Sequence, residues 1–414
     1  MRDSISLDRR ELEEIRAASG ASIRTTPLLD FTELSRRSGG EIAIKAENLQ
    51  LTGSFKLRGA LAKMRAAGGD TSRGVVTGSA GNHAQALAYA AQITRLPCTV
   101  FMPRSAPVSK LDAVTALGAV VHQEGDSVDD CVAAARELAA RRGLLFVHPF
   151  DDIEVVKGQA GLGLEMLEQA HDLSQVIVPV GGGGLISGIA GALRIARPGV
   201  RIVGVQARGC ASFEASLRAG EPVACESPST IADGIAVKRP GELTLPLVER
   251  WVDDLVTVDD ETIAEAMVML ADRAKLVVEG AGAVGVAALL AGASVPAPKG
   301  TTVIVLSGGN VDANLLTALI NRHQTGVGRR TRFSARVPDR PGGLVGLLGA
   351  VAGGGGNVLE VTHVRDGVPL QVGEVDLEVV VETRSSIHRD RLLQSIREAG
   401  IPVDEDRLHP SARA

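Results

Sequence analysis

The chain has 414 residues, room for two or three domains, and is 45% hydrophobic but only 2% aromatic, so its core is built from Ala, Val, Leu and Ile. A formal charge of -5 without a basic block argues against a nucleic-acid surface, and no apolar run is long enough to span a membrane. Cys98, Cys131, Cys210 and Cys225 form no CxxC pair and the eight histidines no HxxxH or HExxH, which argues against a disulfide frame or a metal centre and suits reduced thiols in the cytoplasm.

Residues 7–18 alternate charged and apolar positions at helical spacing and predict a leading helix. Strand-like and helix-like segments then alternate. Strands are expected at 42–45, 74–77, 98–101, 119–121, 175–180, 201–205 and 302–306. Helices are expected to begin at Lys56 and to cover 82–92, 109–117, 128–140 and 185–196. The strands at 201–205 and 302–306 are continuous apolar runs of the kind buried on both faces. Such alternation predicts right-handed crossovers and an α/β fold with a parallel sheet. The polar, basic stretch 321–330 reads as a linker. Beyond it, strands at 332–337, 358–364, 375–382 and 402–403, with helices at 344–351 and 389–399, spell a ferredoxin-like β-α-β-β-α-β unit.

Chemistry concentrates in four places. Ser54-Phe55-Lys56 puts an amine at a helix start, ordinarily the place of a solvated charge. Ser79-Ala80-Gly81-Asn82-His83, the run Gly181-Gly182-Gly183-Gly184-Leu185 and Ser307-Gly308-Gly309-Asn310 each close a β-type run, which would set all three along one sheet edge. Four successive glycines ahead of a helix leave backbone N–H groups clear where the helix dipole favours an anion, so a phosphate fits there. No Gly-Lys-Ser/Thr follows, and there is no GxGxxG with a later acid, which argues against ATP or NAD. A phosphate site with a candidate Schiff-base lysine points to pyridoxal phosphate.

These motifs resemble the fold-type II pyridoxal-phosphate enzymes, most closely the threonine dehydratases (threonine ammonia-lyases), with residues 20–320 as the catalytic part. The resemblance implies a two-subdomain parallel-sheet core of the tryptophan synthase β type over 1–325, with a small subdomain over 52–150 inserted in the large one. It implies that Lys56, beside Phe55, holds the cofactor as an imine and that Asn82 bonds the ring hydroxyl. Ser79, Ala80, Gly81, Asn82 and His83 would receive the substrate carboxylate. Gly181, Gly182, Gly183, Gly184 and Leu185 would grip the phosphate, Asp233-Gly234 would pack on the ring, and Ser307 would face its nitrogen. Ser307 also stands where a helix N-cap could follow a strand. Glu279 matches an acid beside the cofactor, and equally an acid at a helix N-terminus.

The related threonine and cysteine synthases carry an Asp after the lysine, where this chain has Leu57, and serine racemases a serine where it has Ala80. The absent hydroxyl favours elimination over racemisation. The dehydratase pattern Gly-Gln-Gly-Thr reads Gly158-Gln159-Ala160-Gly161, and the racemase cation site reads Gln206 and Ser212, so no metal is expected. Residues 330–414 resemble an ACT domain, opening at Asp339-Arg340-Pro341-Gly342-Gly343-Leu344 and continuing through Gly356-Asn357-Val358. That implies a homodimer or homotetramer, with isoleucine, valine or a nucleotide as effector. The implied activity is elimination from L-threonine, and also from L-serine; a serine racemase and a catalytically silent amino-acid sensor are the alternatives.

Overall fold

The computed structural model describes residues 7–365 and 370–405, and the chain divides into two compact units, 1–311 and 312–414. The first unit holds β1 (Leu28–Asp30), β2 (Glu41–Ala46), β3 (Val75–Gly78), β4 (Cys98–Met102) and β5 (Val120–Gln123). It continues with β6 (Leu145–Phe146), β7 (Leu173–Pro179), β8 (Arg201–Ala207), β9 (Asp254–Val258) and β10 (Thr301–Leu306). The second unit holds β11 (Arg330–Pro338), β12 (Asn357–Val364), β13 (Glu374–Glu382) and β14 (Val403–Asp404).

Two sheets share the first unit. The larger runs β1-β2-β10-β7-β8-β9, parallel except for β1, and the smaller runs β5-β4-β3-β6, wholly parallel. β7, β8 and β10 are buried almost throughout, as their uninterrupted apolar composition requires of strands covered on both faces. The three glycine motifs therefore do not lie along one sheet edge. The motif after β3 ends a strand of the small sheet, while those after β7 and β10 end strands of the large one.

The longest described helix, Ile153–Gln169, has no counterpart in the expected elements. It packs so closely that a Cβ on Gly158 would come within 2.7 Å of the Gly59 Cα. Helix Lys56–Ala66 begins at Lys56 and is tied down two residues later by Arg58, which is 2% exposed. Arg58 donates to Glu47 at 2.8 and 2.9 Å and to Glu165 at 2.7 and 3.0 Å, and Lys45 completes the buried quartet at 2.7 Å from Glu165. Trp251, the chain's single tryptophan, ends helix Thr244–Trp251 and packs against Gly191 of helix Gly184–Ala196.

The second unit has strand order β12-β13-β11-β14, all pairs antiparallel, with helices Gly343–Gly353 and Ser386–Glu398: the ferredoxin-like order 4-1-3-2. The stretch read as a linker is mostly regular: its residues 321–326 end helix Ala313–Gly326, which is capped by the Asp312 side chain, and after a short turn β11 starts at Arg330.

Candidate active site

One cavity of about 520 Å³ opens between the two sheets of the first unit, and every residue singled out from the sequence for the site lines it. Lys56 reaches it from its helix start, its Nζ donating to the Pro149 carbonyl at 2.8 Å and lying 5.1 Å from the Phe55 ring centre. Burial brings its pKa down to about 8, against the opposing pull of the Glu279 carboxylate. About a tenth of the amine is therefore neutral at pH 7, far more than for an ordinary lysine, and that form is nucleophilic and basic.

Across the cavity, β7 delivers the chain into the glycine run, and helix Gly184–Ala196 follows at once. The N–H groups of Gly181, Gly182 and Gly183 have no partner among the described residues, and side chains are barred there. A Cβ on Gly182 would fall 2.4 Å from the Phe150 ring, and Gly183 has φ +92°, where a Cβ would also fall 2.8 Å from Phe213. These free donors at a helix N-terminus form an anion cradle.

Asn82 and His83 open helix Asn82–Thr94 after the Ser79-Ala80-Gly81 turn. The Asn82 amide donates to Glu279 Oε1 at 2.8 Å, and its oxygen accepts from Asn310 at 2.7 Å. Glu279 stands at the N-cap position of helix Gly280–Leu290, yet its side chain caps nothing and turns to Asn82. Burial and then Asp233 push its carboxyl up to about 7. His83 donates through Nε2 to the Val147 carbonyl at 3.0 Å, and burial with the nearby Lys56 takes it down to about 3, so the ring is neutral. Ser307 is 3% exposed and caps no helix: the next one begins at Ala313, with Asp312 as its cap. Gln206 and Ser212 spend their side chains on backbone groups of Val180, Phe213 and Val237.

Sequence reasoning left out Phe150, Asp151 and Thr244, which lie behind the glycine run, and Lys110, which pairs with Asp233 at 2.6 Å beside the cavity. No local motif marks them, because each acts on a segment far away in sequence. Asn310 lay inside a motif already singled out but had no role.

A lysine amine with a lowered pKa and an N–H cradle line the same cavity, the pair of features that an enzyme using a phosphorylated aldehyde needs. Residues 21–308 match the family of pyridoxal-phosphate dependent enzymes, and the chain belongs to that family, with pyridoxal phosphate as its cofactor. It is 44% identical to the L-threonine ammonia-lyase of Thermotoga maritima over 95% of this chain and 98% of that one. The processed form of threonine deaminase isoform 2 from Solanum lycopersicum superposes with TM-score 0.70 at 35% identity, covering 76% of this chain and 88% of that one. Maize serine racemase superposes with TM-score 0.72 at 34% identity, covering 78% and 99%.

Proposed function

We propose that this chain eliminates the β-hydroxyl of L-threonine to give 2-oxobutanoate and ammonia, and acts likewise on L-serine to give pyruvate. The observation that carries the reading is the low-pKa Lys56 amine facing the unpaired N–H groups of the glycine run. The likeness to threonine ammonia-lyases along nearly the whole chain supports this substrate.

Bound pyridoxal phosphate supplies the electron sink that makes the substrate α-proton acidic. Lys56 holds the cofactor and, as the free amine, takes that α-proton. The same ammonium then has a proton to give the leaving hydroxyl, so one group serves as base and acid and water departs; the released enamine tautomerises to an imine, which takes up one water and gives the 2-oxo acid and ammonia. The turn Ser79-Ala80-Gly81 and the N-terminus of helix Asn82–Thr94 receive the substrate carboxylate, where the helix dipole favours negative charge. Ser307 serves the ring nitrogen; a hydroxyl, unlike a carboxylate, leaves that nitrogen unprotonated and favours loss of the β-group over transamination. Asn82, fixed between Glu279 and Asn310, serves the ring hydroxyl, and Gly234 packs on the ring.

Purified protein is expected to show a visible absorption band with the cofactor, a borohydride-trapped adduct on Lys56, and 2-oxo acid release from L-threonine and L-serine. Lys56→Ala should abolish the band and cut turnover by about 10²–10⁴-fold or more. A colourless wild type would end the reading, including its catalytically silent variant.

Racemisation needs a second proton donor on the opposite face of the substrate, and Ala80 supplies none. Ala80→Ser is expected to yield D-serine from L-serine at a rate the parent lacks, measured by chiral chromatography. D-serine formation by the parent would favour the racemase instead.

We read the second unit as an ACT regulatory module that binds isoleucine, valine or a nucleotide, in a homodimer or homotetramer working in the cytoplasm. Its 4-1-3-2 sheet supports the module type, and the exposed Val345 and Leu359 support association. The free cysteines support a reducing compartment.

A further inference from the structure

The glycine run can hold a phosphate only if its peptide planes present their N–H groups to the cavity, and glycine itself fixes no plane. The side chain behind the run does. Thr244, fully buried at the start of helix Thr244–Trp251, donates its hydroxyl to the Gly182 carbonyl at 2.6 Å. In a trans peptide the carbonyl and the following N–H point in opposite directions. Pinning the Gly182 oxygen toward Thr244 therefore turns the Gly183 N–H away from it, to the cavity side.

The threonine is itself held. Its hydroxyl oxygen accepts from the Gly241 N–H at 3.2 Å, which leaves the hydroxyl proton for Gly182. The Asp151 carboxylate accepts from the N–H groups of Glu242, Leu243 and Thr244 at 3.0–3.2 Å, anchoring the helix start. Asp151 directly follows Phe150, whose ring occupies the space a Gly182 side chain would need. Gly241 admits this arrangement, since a Cβ there would fall 1.9 Å from Asp151 Oδ1.

We propose that Thr244, anchored by Asp151, is a positioning residue for the cofactor's phosphate: it sets the Gly182–Gly183 peptide plane and so makes the cradle a phosphate-specific site. The inference rests on the cofactor assignment above, which the wild-type visible band tests separately.

The experiment titrates apoprotein with pyridoxal phosphate and, in parallel, with pyridoxal, which has the same aldehyde and ring but no phosphate. Thr244→Val keeps the branched shape and loses the hydroxyl. It is expected to weaken pyridoxal phosphate binding by about tenfold or more while leaving pyridoxal binding within about twofold, because only the anion contact is lost. Inorganic phosphate should also slow reconstitution of the valine variant less than that of the parent. Thr244→Ser, which restores the donor, should return the phosphate preference. Should the valine variant fail to fold, Thr244→Cys, a weaker donor of similar size, carries the same comparison. Equal losses for the two ligands, an unchanged affinity for pyridoxal phosphate, or a serine variant as weak as the valine one would each overturn the proposal.

Discussion

Lys56 and Glu279 share one desolvated wall of the cavity, and burial drives both toward their neutral forms: the amine down to about 8, the carboxyl up to about 7. Only a neutral amine condenses with an aldehyde, so reconstitution of apoprotein is expected to accelerate with pH, half-maximal near 8 rather than near the 10.5 of an ordinary lysine. Stopped-flow absorbance across pH 6–10, at constant ionic strength, checks this. For Glu279 the sign is opposite to that of a paired surface acid. Its native carboxyl holds a proton that the unfolded chain releases near 4.5, so the native state binds more protons between pH 4.5 and 7 and loses stability as pH rises there. Glu279→Gln keeps an acceptor for Asn82 and removes the ionisation. The variant apoprotein is expected to melt higher than the parent at pH 8, with the advantage vanishing toward pH 4.5; a constant difference across that range would refute the assignment.

At the scale of elements, the strands and helices that bear the motifs were legible because their patterns are local. An apolar run before a glycine turn reads as a strand wherever it occurs, and all the residues singled out for the site do line the cavity. Helix Ile153–Gln169 was not legible, because Gly158, Gly161 and Gly163 depress local helix propensity. Two of those glycines serve closeness: beside the Gly158 contact with Gly59, a Cβ on Gly163 would press into Ala192 at 2.9 Å. Thr244 and Asp151 were hidden for a related reason, since their partners lie 62 and 91–93 residues away. The Arg58 quartet was equally invisible, since nothing in the sequence shows that Glu47, Glu165 and Lys45 converge on it. Arg58→Met leaves two buried carboxylates facing one lysine and is expected to cost about 3–5 kcal/mol in denaturant unfolding. Adding Glu47→Gln, which leaves Glu165 paired with Lys45, should recover much of that loss; no recovery would mean that the guanidinium acts by packing alone.

At the scale of the whole molecule, each unit has its own hydrophobic core. The first buries clusters around Val176, Ile189 and Leu245 and around Leu61, Leu87 and Val100; the second buries Phe333, Leu377, Leu392 and neighbours. A chain ending at Val311 is therefore expected to fold, take up cofactor and turn over L-threonine while losing any response to isoleucine or valine. Turnover compared with and without each amino acid, in both lengths, checks this; a truncated chain still responsive would move the effector site into the first unit. The poverty in aromatic side chains has an optical consequence. Trp251 is 8% exposed and sits where the helix that starts at Thr244 meets the one that starts at the glycine run. The molecule thus carries a single indole, set between the two helices whose first residues meet at the glycine run, and its emission is expected to change as cofactor arrives, without any label.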